Sequence, residues 1–152
     1  MSEKAIRSRA YPGYFSSRLE NYISLSKPRL LASVVLSAFL GFVLPMTLSN
    51  TVLQLIYLLF GTALMGGGAN ALNQWMEQVP DSIMNRTKNR VLPMGKLSEK
   101  EAMIFGIVIS AVGFFVLWFG NNPLTAGLGL LTILTYILVY TPLKQKSVTN
   151  TW

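Results

Sequence analysis

Val52-Leu-Gln-Leu-Ile-Tyr-Leu-Leu-Phe-Gly61-Thr-Ala-Leu-Met-Gly66-Gly-Gly-Ala-Asn70-Ala-Leu-Asn73-Gln-Trp-Met-Glu77-Gln-Val-Pro80-Asp81 is the stretch whose reading decides the fold. Residues 52–72 carry no charged side chain. A run of about 20 apolar residues is the length a helix needs to cross the hydrocarbon of a bilayer. Three further runs are also free of charge: Leu30–Leu48, Met103–Gly120 and Leu124–Tyr140. Helices of a soluble domain would need a polar face, and these have none. The reading is an all-α, polytopic membrane helix bundle: one domain over residues 1–152, with four transmembrane helices at about 30–48, 52–72, 103–120 and 124–140.

The charges fall where such a topology puts them. The chain has 13 basic and 6 acidic residues, a net charge of +7. Lys4, Arg7, Arg9, Arg18, Lys27 and Arg29 precede the first run; Arg86, Lys88, Arg90, Lys96 and Lys100 follow the second; Lys144 and Lys146 follow the fourth. The connections Ser49-Asn50-Thr51 and Asn121-Asn122-Pro123 are uncharged. Every charge therefore lies on one side of two helical hairpins, and the positive-inside rule makes both termini cytoplasmic. The basic excess tracks the bilayer, not a nucleic acid. Residues 1–29 are too polar for a cleavable signal core. Within that cytoplasmic leader, Phe15, Leu19, Tyr22 and Ile23 share one helical face, which predicts a short interfacial helix. Ser26-Lys27-Pro28 then opens the first span, with Pro in the first turn.

Composition removes several chemistries. The chain contains no Cys and no His. Disulfides, thiolate zinc sites, iron–sulfur clusters, thiol nucleophiles and His-based triads are excluded. What remains is hard-oxygen and cationic chemistry, concentrated in the cytoplasmic loop 73–102. Asn73, Glu77 and Asp81 recur every four residues, so a helix projects them from one face, joined by Asn70 one turn earlier. Two carboxylates and amide oxygens suit Mg2+, which keeps its waters and accepts substrate phosphates. Arg86 and Arg90 repeat the same spacing around Lys88. Arginine forks suit phosphate oxygens. An ordinary positive-inside loop with helical salt bridges is the competing account of these residues. Pro80 removes a helical hydrogen bond and crowds residue 76, which predicts a kink that re-aims Asp81.

Elsewhere the chemistry is structural. Pro93-Met94-Gly95 predicts a turn, and Ser98-Glu-Lys-Glu101 a capping box. Gly61, Gly66, Gly67, Gly68 and Ala69 predict close helix packing, or else room for a bulky substrate. Phe105, Phe114, Phe115, Trp118 and Phe119 read as packing or lipid-facing residues. There is no tandem repeat.

Three strings carry a resemblance: Leu25-Ser-Lys27-Pro28-Arg29; Ala71-Leu-Asn73-Gln-Trp-Met-Glu77-x3-Asp81-x2-Met84-x-Arg86-Thr87-x-Asn89-Arg90-Val-Leu-Pro93-x-Gly95; and Tyr140-Thr-Pro-Leu-Lys144. From about residue 20 onward the chain resembles the UbiA superfamily of intramembrane prenyltransferases, and within it the heme O branch. The resemblance implies the first half of a nine-helix fold. It implies Mg2+-dependent transfer of a farnesyl group from farnesyl diphosphate to heme B. Asn73, Glu77 and Asp81 would hold Mg2+; Arg86, Lys88 and Arg90 would meet the diphosphate, with Lys27, Arg29 and Asn70 in support. On this account Asn73, Glu77, Asp81, Arg86 and Arg90 form the catalytic set, in a bacterial inner membrane. The family's second acidic motif belongs to a second half. A chain ending at Trp152 is therefore expected to be a fragment, a half that is inactive alone, or one that pairs with another subunit. A UbiA-type enzyme acting on an aromatic or quinone precursor, and a non-catalytic four-span membrane protein, are the remaining alternatives.

Overall fold

The structure is a computed structural model that describes residues 14–45 and 51–146, with side chains over residues 18–45 and 51–143. Lys4, Arg7, Arg9, the Phe15 side chain, residues 46–48, Ser49-Asn50, the side chains of Lys144 and Lys146, and residues 147–152 lie outside that description.

Every described element is helical. In chain order these are α1 (Tyr14–Leu25), α2 (Pro28–Val43), α3 (Val52–Met76), α4 (Gln78–Ile83), α5 (Glu99–Gly120), α6 (Pro123–Thr135), a π-helical turn (Tyr136–Tyr140) and α7 (Thr141–Lys146). Three segments are long and apolar enough to cross a membrane: Val52–Met76, Glu99–Gly120 and Pro123–Leu143. A fourth is the pair α1–α2, bent by 52° at the elbow Ser26-Lys27. The chain is thus a polytopic helical membrane bundle. The second span runs on past residue 72 to Met76 and carries Asn73 with it.

Local signals explain the helix ends. Thr51 and Gln54 form a capping box at the start of α3, and Ser98 and Glu101 form the expected one on α5. Asn122 caps α6 by accepting from the Thr125 amide at 2.7 Å. Pro28 sits in the first turn of α2, but the cap is Lys27, held in the left-handed region at φ 50°. That strained elbow is clasped from the side. The Gln74 amide donates to the Leu25 carbonyl at 2.7 Å, and the Asn70 amide to the Ser26 carbonyl at 2.9 Å. Both acceptors are carbonyls at the end of α1 that no helical N–H reaches.

The antiparallel pair α3–α5 makes the most extensive contact in the molecule. Glycines permit it. A methyl added at Gly61 would sit 3.2 Å from the Gly113 carbonyl, and one at Gly113 2.9 Å from the Gly61 carbonyl. Gly68 and Gly106 repeat the arrangement seven residues on, so the backbones touch along two glycine pairs. Gly66 and Gly67 instead face Leu31 and Ser26, making room for the α1–α2 elbow.

Two cores result. The intramembrane one gathers Met65, Ala69, Leu117, Ala126 and Ile133. The second gathers Leu25, Ala71, Val91, Leu92, Leu97 and Ala102, with Tyr22, Trp75 and Phe105 against it. This second core pins the loop after α4 beneath α1. On α1, Tyr22 packs on Phe105 at 4.9 Å, while Leu19 and Ile23 stay exposed. Phe115, Trp118 and Phe119 on α5 are likewise exposed. The expected turn at 93–95 forms with Gly95 at φ 66°.

Candidate functional site

The site grows from the end of α3. Pro80 has no N–H to give to residue 76, and its ring crowds that carbonyl. The helix accordingly stops at Met76, Glu77 serves as the junction, and the short α4 follows. The backbone amide of Asp81 still donates to the Glu77 carbonyl at 2.8 Å. The break therefore re-aims Asp81 without separating it from Glu77.

The polar side chains here are buried. Asn73, Glu77 and Asp81 are 2%, 4% and 5% exposed. Buried carboxylates need a cation and hydrogen bonds, and Arg90 supplies the cation. Its Nη1 donates to Asp81 Oδ2 in a short contact and lies 3.9 Å from Glu77 Oε2. Asn73 Nδ2 donates to Glu77 Oε2 at 3.1 Å. The Thr87 hydroxyl donates to the Asp81 carbonyl at 3.0 Å, which fixes the chain between the acids and Arg90. Thr141, fully buried at the start of α7, donates to Asn73 Oδ1 at 2.9 Å. The site is thus a closed cluster drawn from α3, α4, the loop after it, and α7.

Three of the residues expected from sequence, Asn73, Glu77 and Asp81, meet here with Arg90. Arg86 and Lys88 do not join them. Both are exposed; Lys88 bonds Asn85 at 3.1 Å, and Arg86 has no partner among the described residues. Asn70 is turned to the Ser26 carbonyl. Lys27 and Arg29 line a shallow groove with Glu20 and Ser24 beside the elbow. The residues missed from sequence are Thr87, Thr141 and Gln74. Thr87 and Thr141 sit inside the quoted motif strings, but a lone Thr or Gln has no spacing that betrays it.

Between α2, α3 and α6 lies an apolar cleft of about 460 Å3. Leu31, Val34, Met65, Gly66, Ile133 and Tyr136 are among the residues of its wall, with Asn70 beside them. Tyr136 ties the cleft to the cluster, since its carbonyl lies 2.9 Å from the Thr141 hydroxyl that also meets Asn73.

The residue types fit a magnesium diphosphate in kind, two carboxylates and a guanidinium, with the Asn73 amide here turning its NH2 to Glu77 and its oxygen to Thr141. No group of three or more His, Cys, Asp or Glu exists among the described residues. Any cation held here must complete its shell with water and phosphate oxygens. Mg2+ characteristically does so.

The chain is 39% identical to the protoheme IX farnesyltransferase of Solibacter usitatus, over 85% of this chain and 47% of that protein. It is 45% identical to that of Myxococcus xanthus, over 82% and 42%. The mitochondrial protoheme IX farnesyltransferase of Yarrowia lipolytica is 42% identical, over 86% and 28%. The chain thus spans less than half the length of each of these curated relatives. No solved structure matches it. Residues 34–152 match the model of the UbiA prenyltransferase family, and the chain belongs to that family.

Proposed function

We propose that this chain carries the diphosphate-binding half of a protoheme IX farnesyltransferase. The observation that carries the reading is the buried Asn73–Glu77–Asp81–Arg90 cluster, joined through Thr141 to Tyr136 in the wall of an apolar cleft. One end holds an anionic headgroup and its cation; the other takes a hydrocarbon chain. Farnesyl diphosphate has that polarity. The three relatives, each named as a protoheme IX farnesyltransferase, support heme B as acceptor.

Glu77 and Asp81, with Asn73, would hold Mg2+. When bound, the ion supplies Lewis-acid polarisation of the diphosphate oxygens. The chain's own cations share that work. Arg90 lies within the cluster and turns its fork to the phosphates as the charge on the leaving group grows; Arg86 and Lys88 approach from the exposed loop. The farnesyl C1–O bond breaks, and its electron pair leaves with the diphosphate. The π electrons of a heme vinyl group close on C1 to form the new C–C bond. Water then captures the resulting cation and loses a proton, giving the hydroxyl. The cleft keeps water from the allylic cation until the vinyl group arrives.

The remaining elements follow the same reading. Lys27 and Arg29 flank the entry on the cytoplasmic side. The basic segments hold both termini in the cytoplasm of a bacterial cell whose inner membrane contains the bundle. A further half or subunit bearing its own acids completes the cavity. Glu77→Gln with Asp81→Asn tests the proposal in membranes supplied with heme B and farnesyl diphosphate. Heme O formation should fall by at least 100-fold at equal protein level. Unchanged turnover refutes the reading, and activity on 4-hydroxybenzoate in place of heme B would reassign the acceptor.

A further inference from the structure

The Tyr140-Thr141-Pro142 string has a consequence that the reaction alone does not use. Pro142 has no N–H for the Leu138 carbonyl and crowds it. The helix widens into the π turn Tyr136–Tyr140, a local form often found at functional sites. The Thr141 amide then reaches back to the Tyr136 carbonyl. The same turn leaves the Thr141 hydroxyl between two oxygens, each at 2.9 Å: Asn73 Oδ1 and the Tyr136 carbonyl. A hydroxyl has one proton and two lone pairs. It can satisfy one of these oxygens as donor and must meet the other atom some other way.

With the proton on Asn73 Oδ1, the Asn73 amide points its NH2 at Glu77 Oε2, as observed. In that state the Asn73 oxygen faces away from the acids. With the proton on the Tyr136 carbonyl, the Thr141 oxygen becomes an acceptor. The Asn73 amide can then turn over, donate Nδ2 to Thr141, and present Oδ1 beside Glu77 Oε2. Two acceptor oxygens side by side repel each other unless a cation lies between them. The first state suits a metal-free site and the second a loaded one. Both are satisfied by the same buried hydroxyl.

We propose that Thr141 is a positioning residue that selects the orientation of the Asn73 amide, and through it the affinity of the cluster for a divalent cation. The inference rests on the diphosphate-site reading above. Valine matches the shape of threonine but neither donates nor accepts, so Thr141→Val removes both states. Serine keeps the hydroxyl. Partners that orient metal ligands are typically worth about 10-fold or more in affinity.

The test is thermal unfolding of the full-length protein in detergent, titrated with Mg2+ in the presence of inorganic pyrophosphate. Half-saturating Mg2+ should rise about 10-fold in Thr141→Val and stay within about twofold of wild type in Thr141→Ser. Thr141→Ala carries the same expectation as valine and serves if the valine variant does not fold. A purely structural role would lower the metal-free midpoint and leave the half-saturating concentration unmoved in both Val and Ala variants. That result overturns the inference while the diphosphate reading stands. A wild-type protein whose midpoint ignores Mg2+ and pyrophosphate altogether overturns both.

Discussion

Replacing Arg90 by glutamine should expose how the acidic cluster is held together. The side chains of Glu77 and Asp81 are 5% and 6% exposed, and both face one guanidinium that is itself 26% exposed. Removing one partner of a buried ion pair costs about 3–5 kcal/mol, because the other charge is left without compensation. The partial exposure of Arg90 admits some water, which places the cost at the lower end, about 3 kcal/mol. At about 2–4 °C per kcal/mol, the thermal midpoint of Arg90→Gln should fall by roughly 6–12 °C. The surface pair Arg18–Glu101 gives an internal reference. Its charged atoms are 3.6 Å apart on side chains 48% and 38% exposed, so Arg18→Gln should leave the midpoint nearly unchanged. The mechanism makes a second demand. If the penalty is the orphaned carboxylate, Asp81→Asn in the Arg90→Gln background should recover at least half of the loss. Thermal unfolding of wild type and the three variants in detergent, metal-free, is the assay. An Arg90→Gln midpoint no lower than that of Arg18→Gln refutes the reasoning. So does a double variant no more stable than Arg90→Gln alone.

Two further substitutions probe the scaffold that presents the cluster. Gly68→Val would bring a Cβ within 2.7 Å of the Gly106 carbonyl and 2.8 Å of Ile109. Backbone cannot give way cheaply, so a loss of at least about 1–3 kcal/mol in unfolding is expected, against no loss for Gly41→Ala, where nothing lies within 4 Å. Gln74→Leu strands the Leu25 carbonyl and should cost about 1–3 kcal/mol. Faster amide hydrogen exchange confined to α1 and the elbow would report it.

The bundle was legible because the bilayer imposes a coarse rule. Long uncharged runs must be helices, and the basic residues must collect at one end. The Asn73–Glu77–Asp81 face was legible for a similar reason: a four-residue repeat is a helical face whatever the tertiary context. Pro80 was legible as the cause of the break after Met76, since its missing N–H acts locally. The partnership of the cations was not. Arg86 and Arg90 have the same type and sit one turn apart, yet Arg90 turns inward and Arg86 outward. That sorting depends on Val91, Leu92 and Leu97 being buried under α1, a long-range packing event with no periodic signature. Thr141 lies 68 residues from the Asn73 it bonds, and spacing cannot reveal a contact of that range. Asn70 fails in the opposite way: its register is right, but the carbonyls at the end of α1 claim its amide.

The sorting of charges also bears on the two accounts of the loop after α4. A loop that serves topology alone needs its charges in water, near the headgroups, and Arg86, Lys88, Lys96 and Lys100 are exposed as that account requires. Glu77 and Asp81 are not. Burying two carboxylates against one guanidinium leaves a net negative charge in a poorly hydrated place, and a well-packed apolar trio of the same volume would hold the loop at least as firmly. Stability therefore gives no reason for these residues. A site that must receive a cation gives one. On the proposed reading a divalent ion and its phosphate would together balance that charge, and Arg90 would pass from carboxylate to phosphate within the cluster. On that same reading, the cost of holding two acids against one guanidinium would be the counterpart of affinity for a cation and its phosphate.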